Sequence, residues 1–181
     1  MIFSIMESWV KGSAKWAHRL SALVGVGVLG VTQPFPLATM PVQSKKVFLD
    51  VLEQRTFESV NRERTAQGLP ALQIDNHLNR AARRHSQDMA ERRFMSHTNP
   101  DGYGFVERAR LAGVRRVREM AENLGMHRGN SDPIANVVQN WMNSPGHRKN
   151  LLNRRFKYTG IGVVRAADGT LYFTQLFADR Q

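Results

Sequence analysis

Tyr158-Thr159-Gly160-Ile161-Gly162-Val163-Val164 and Thr170-Leu171-Tyr172-Phe173-Thr174-Gln175-Leu176-Phe177 close the chain, with Asp168-Gly169 between them. Both runs are rich in β-branched and aromatic residues, and Asp-Gly is a strong hairpin signal. They read as two antiparallel strands. The chain before them is patterned for helices. Ser131-Asp132-Pro133 opens one, with Ile134, Val137, Val138, Trp141 and Met142 as its apolar stripe and Pro145-Gly146 as its stop. Met120 to Met126 is a strand or an irregular segment. Phe105 to Ala112 is a short helix closed by Gly113, after a turn at Thr98-Asn99-Pro100-Asp101-Gly102. Asp75 or Asn76 caps a helix with Leu78, Ala81, Ala82, His85, Met89 and Ala90 on one face, ending near Phe94. An earlier helix runs from Val47 to Gln67-Gly68-Leu69-Pro70. Helices first and a hairpin last predict an α+β fold, helices packed on a small antiparallel sheet.

The 181 residues are 41% apolar and 23% charged, which excludes disorder and a many-span membrane protein. The formal net charge is +11. Such a surface attracts anionic partners: nucleic acid, anionic lipid or an anionic wall polymer. The basic residues fall in scattered pairs such as Arg83-Arg84 and Arg115-Arg116, without the aromatic interleaving of a single-strand binder. Nucleic acid is the last-ranked partner, since an exported protein rarely meets it and a wall polymer explains the charge as well. With no cysteine, any metal site must use His, Asp, Glu or amide oxygens.

Lys11, Lys15 and Arg19 precede an uncharged apolar run over residues 20–31, and Ala38 follows. The run is shorter than the ~20 residues of a comfortable membrane span. Residues 1–38 read as an export signal or an uncleaved N-terminal anchor touching the membrane through 20–31. Residues 39–49, near Pro34, Pro36 and Pro41, read as a linker.

Three polar positions stand just outside apolar segments: His97, Glu122 and His147. Taken singly, each has an ordinary structural reading. A histidine at the end of an element is commonly hydrogen-bonded into the fold. A carboxylate in Met120-Ala121-Glu122-Asn123-Leu124 must be paired, metal-bound or at an edge. Their separation of 25 residues each time lacks the local spacing of a metalloprotease helix. His85 lies on an apolar helix face and reads as a core residue. No nucleophile elbow, phosphate loop or dinucleotide fingerprint is present.

Several pieces, in order, resemble the CAP superfamily (cysteine-rich secretory proteins, antigen 5, pathogenesis-related 1), above all its small bacterial SCP-like members. They are Val60-Asn61-Arg62-Glu63-Arg64, Gly68-Leu69-Pro70-Ala71-Leu72, His85-Ser86-Gln87-Asp88-Met89, Ser96-His97-Thr98-Asn99-Pro100-Asp101-Gly102, Ala121-Glu122-Asn123-Leu124, Trp141 through Leu152, Gly160-Ile161-Gly162-Val163 and Tyr172 through Phe177. The resemblance implies a CAP domain over 50–178, an α-β-α sandwich, an exported protein, and a cleft of two His and two Glu able to hold a divalent metal such as zinc. His97, Glu122 and His147 match three of those positions, the tentative metal ligands. Ser144 stands where the fourth, a Glu, is expected. Asn123 and Ser144 complete the implied cleft.

Two functions compete. One is an exported or cell-envelope binding module for a lipid, sterol, peptide or anionic wall polymer. The other is a metal-dependent hydrolase, with Glu122 as ligand or general base activating a metal-bound water. The Ser144 departure favours the binding module.

Overall fold

The computed structural model of the protein describes residues 41–180. The export segment 1–38 and its apolar run lie outside the described residues. The first helix, α1 (Val42–Ala66), begins earlier than the Val47 expected, so most of the linker 39–49 is helical. Residues 41–48 are all exposed, and turns that bury nothing leave no apolar spacing to read. The buried stripe of α1 is Leu52, Glu53, Thr56, Val60 and Arg64. Gly68, at φ +68°, closes it: Leu69 N–H donates to Arg64 O and Gly68 N–H to Thr65 O, both at 3.0 Å.

After the two-residue strand β1 (Gln73–Ile74) comes α2 (Asn76–Arg92). Asp75 caps α2, its carboxylate accepting from His77 N–H and Leu78 N–H at 2.8 and 3.0 Å. Next come α3 (Phe105–Leu111) and β2 (Val117–His127), the segment left open as strand or irregular. Asp132 caps α4 (Pro133–Asn143), with Pro133 at its first position. Pro145 does more than stop α4. Ser144 alone makes the break, with ψ 119°, and Pro145 opens a further helix, α5 (Pro145–Leu151). Strands β3 (Tyr158–Arg165) and β4 (Leu171–Arg180) follow as the expected hairpin, Gly169 turning at φ +89°.

The sheet order is β1-β3-β4-β2. β2–β4 and β3–β4 are antiparallel, while β1 pairs parallel with β3. The sheet is thus mixed through one strand too short to leave a sequence pattern. Side chains alternate along β4. Phe173 and Phe177 join Val60, Val137, Trp141 and Leu151 in a core under α1, α4 and α5. Leu176 and Ala178 join Leu78, Ala81, Ala82 and Ala109 under α2 and α3. These two cores make the α-β-α sandwich. Burial of each large aromatic side chain contributes about 1.5–3 kcal/mol.

The contact between α2 and β3 has almost no side chain in it. A Cβ on Gly160 would stand 2.1 Å from the backbone carbon of Leu78, and one on Gly162 would stand 2.3 Å from that of Ala82. Asn79 Oδ1 accepts from Ile161 N–H at 2.8 Å, and Ser86 Oγ donates to Gly162 O at 2.9 Å. The Gly160-Ile161-Gly162 pattern is therefore a docking surface for a helix backbone.

Candidate functional site

β2 is an edge strand of the sheet, and it carries Glu122 and Asn123 on opposite faces. Glu122 lies opposite Leu176, on the α2/α3 side, and Asn123 opposite Gln175, on the α4/α5 side. Each residue ties one half of the site to the strand.

On the α2/α3 side, the Glu122 side chain is fully buried with both oxygens engaged. Oε1 lies 2.8 Å from His97 Nδ1, and Oε2 accepts from Arg108 Nη2 at 2.6 Å. Arg108 projects from α3 and donates through Nη1 to the carbonyls of His97 and Tyr103, both at 2.8 Å. One guanidinium thus neutralises the carboxylate and clamps the turn that carries His97. The His97 side chain is 53% exposed. With Nδ1 held at Glu122, Nε2 is the ring nitrogen left for another partner. Behind it, His85 is buried in α2, its Nε2 2.9 Å from Ser96 O and its Nδ1 without a protein partner among the described residues. Burial holds the His85 ring below the usual histidine range, so it is neutral at pH 7.

On the α4/α5 side, Asn123 is wholly buried. Its Nδ2 donates to His147 O at 3.1 Å, and its Oδ1 accepts from Asn150 Nδ2 at 2.9 Å. Asn150 also reaches Glu122 O at 3.4 Å, so α5 is pinned to β2 through its backbone and an amide. His147 sits in the first turn of α5 and is half-buried. Burial depresses its ionisation, and the nearby His97 depresses it further. His147 is therefore neutral at pH 7.

Of the expected residues, His97, Glu122 and His147 do assemble around the edge of β2. Asn123 is a tether with no surface to offer a ligand. Ser144 is half-buried at the α4–α5 break, and its hydroxyl caps neither helix. The expected three-ligand metal set fits poorly, because the Glu122 side chain has no exposed surface and both its oxygens face His97 and Arg108. Sequence reasoning missed Arg108 entirely. It is one arginine among many, and in α3 it stands between Glu107 and Arg110, so nothing local marks it out.

Known proteins share the sequence pattern and the fold. The model of the Cysteine-rich secretory protein family, CAP, matches residues 57–177. An uncharacterized Bacillus subtilis (strain 168) protein, YkwD, is 38% identical over 114 residues, covering 63% of this chain and 43% of its own length. An uncharacterized membrane protein of the same organism, YlbC, is 33% identical over 128 residues, covering 71% of this chain and 34% of its own length. This chain thus spans less than half of the curated relatives it matches. An extracellular protein containing a SCP domain from Bacillus anthracis str. Ames superposes with a TM-score of 0.69 at 28% identity, covering 78% of this chain and 44% of that one. An outer surface protein from Borrelia burgdorferi shares the fold, with a TM-score of 0.65 at 23% identity over 72% of this chain and 93% of its own. Free of cysteine but matched by the family model over residues 57–177, the chain belongs to the CAP, or cysteine-rich secretory protein, family.

Proposed function

We propose that the protein is an exported cell-envelope module whose cleft at His97 and His147 binds a small ligand. Export rests on residues 1–38 and on the extracellular setting of the Bacillus anthracis relative. The observation that carries the binding reading is the state of Glu122. A general base or a metal-binding carboxylate needs a lone pair directed at the reacting group. Both Glu122 oxygens instead point at side chains, and Arg108 balances the charge. The site offers the His97 and His147 rings and the Ser144 hydroxyl, a set suited to hydrogen-bonding a ligand.

The test is a nuclear magnetic resonance screen of the full chain against lipids, sterols, peptides and wall fragments, read at the histidine ring signals. A hit should perturb His97 and His147 together and be lost in His147→Ala. If no compound perturbs either ring, the binding reading fails.

A divalent metal such as zinc is the second reading, favoured by one observation. Metal-binding histidines commonly hold the opposite ring nitrogen against a carboxylate, as Glu122 holds His97. The two imidazoles would be the protein donors, with Ser144 or water completing the shell, and a bound metal would polarise an oxygen of the ligand. Calorimetric titration with zinc decides it: saturable uptake abolished by His97→Ala supports the site. Hydrolysis of an ester or peptide, dependent on that metal and on His147, would move the protein to the hydrolase class.

A further inference from the structure

Away from the His97/His147 cleft, α3 and the first part of β2 enclose a groove of about 800 Å³. Its floor is Val106, Ala109, Val114, Val117 and Met120, and Leu111 lines it too. Leu111 is 68% exposed, an apolar side chain left in water at the groove's mouth. The volume falls within the range of small-molecule sites.

The rim is cationic. Arg110, Arg116 and Arg118 line it, and none lies within ion-pairing distance of a carboxylate among the described residues. Two carboxylates, Glu107 and Glu119, also line the groove, and Glu119 is held by Asn153 and Arg155. The backbone is irregular at the same place. Arg116 has φ +54°, a left-handed conformation that arginine seldom adopts. The β2–β4 register shifts between Val117 and Glu119, which leaves Arg118 as the extra residue of a bulge. Such departures re-aim side chains from the regular alternation of a strand.

We propose that this groove binds a single-chain anionic amphiphile, its tail on the apolar floor and its head at Arg110, Arg116 and Arg118. A peptide fits less well. Its amides would lie over a floor without hydrogen-bonding side chains, and the bulge obstructs addition of another strand at this edge. An alkyl chain needs only apolar contact, and a phosphate or carboxylate head pairs with guanidinium groups. The proposal is independent of the reading given for His97 and His147.

The experiment uses the full chain and dodecyl phosphate below its micelle concentration, titrated calorimetrically. Inorganic phosphate, dodecyl maltoside, an acidic peptide and anionic phospholipid vesicles are the other arms. Saturable one-to-one binding of dodecyl phosphate is expected, at least tenfold tighter than dodecyl maltoside, with none for inorganic phosphate. Arg110→Glu with Arg118→Glu should weaken it at least tenfold, and so should Leu111→Asp. Arg62→Glu with Arg154→Glu, which changes net charge equally, should not. Backbone amide shifts of the wild-type protein should move over 106–120, which keeps the test decisive if a variant fails to fold. The proposal is overturned if dodecyl phosphate does not saturate, if the groove variants bind it unchanged, or if the shifts fall elsewhere. Equal binding of inorganic phosphate, tighter binding of the peptide, or binding to vesicles alone would overturn it as well.

Discussion

Where α2 crosses β3, backbone meets backbone: Gly160 and Gly162 leave no space for a Cβ, and Asn79 and Ser86 bond directly to the strand. Along the outer edge of β2 the contact is made by long polar side chains, with His97 and Arg108 reaching one face and His147 and Asn150 fastened to the other. The first contact is specified by the absence of side chains and tolerates no addition. The second is specified by charge and hydrogen bonding, and single groups in it can be exchanged. Fold and site are thus held by different physics within one sheet, and substitution should separate them.

The largest expected effect is on the glycine contact. Gly162→Ala should cost about 3 kcal/mol or more, since overpacking against backbone has no flexible side chain to yield. Denaturant unfolding measures it, and a loss under 1 kcal/mol would mean that α2 can lift from β3. At the edge, Arg108→Gln removes the cation from buried Glu122. About 2–3 kcal/mol should be lost, because a buried charge is left without its partner. The His97 ring signals should also broaden or shift as its turn loosens.

A smaller effect follows from pH. The folded protein holds His85 and His147 below the usual histidine range through burial, reinforced at His147 by the neighbouring His97. The unfolded chain therefore binds more protons as pH falls through about 6.5. Stability should be full above that value and decline below it. His147→Gln should flatten part of that decline, as melting temperatures between pH 8 and pH 5 would reveal. The smallest effect belongs to the pair of Arg55 with Asp132, whose side chains are about half exposed. Arg55→Ala should change unfolding free energy by about 0.5 kcal/mol or less. A larger change would show that exposed polar contacts contribute as much as the packed ones.

The same division decided how much was legible in the sequence. Caps, turns and apolar spacing are local, so Asp75, Asp132, Gly113 and the Asp168-Gly169 hairpin could be read directly. Gly160-Ile161-Gly162 was visible as a motif, though its reason lies in a helix some 80 residues earlier, where Asn79 meets Ile161. β1 was missed because two residues make no period. The second start at Pro145 was missed because proline reads as a stop as readily as a first helical residue. In the site, His97, Glu122 and His147 could be picked out as polar residues beside apolar runs. The partner that decides what Glu122 can do, Arg108, lies 14 residues away on another element and has no pattern of its own.

Arg64 extends this logic across the molecule. It is wholly buried at the end of α1, and its guanidinium donates to the carbonyls of Pro70, Leu151, Asn153 and Phe156. Those acceptors are neutral, so salt screens this knot far less than a surface ion pair. α5 is moored at its last residue by Arg64 and at its first turn by Asn123. His147 rides between the two moorings, so its position is set as much by the far end of α1 as by the strand beside it. A slackened Arg64 would let the cleft drift with every cleft residue intact.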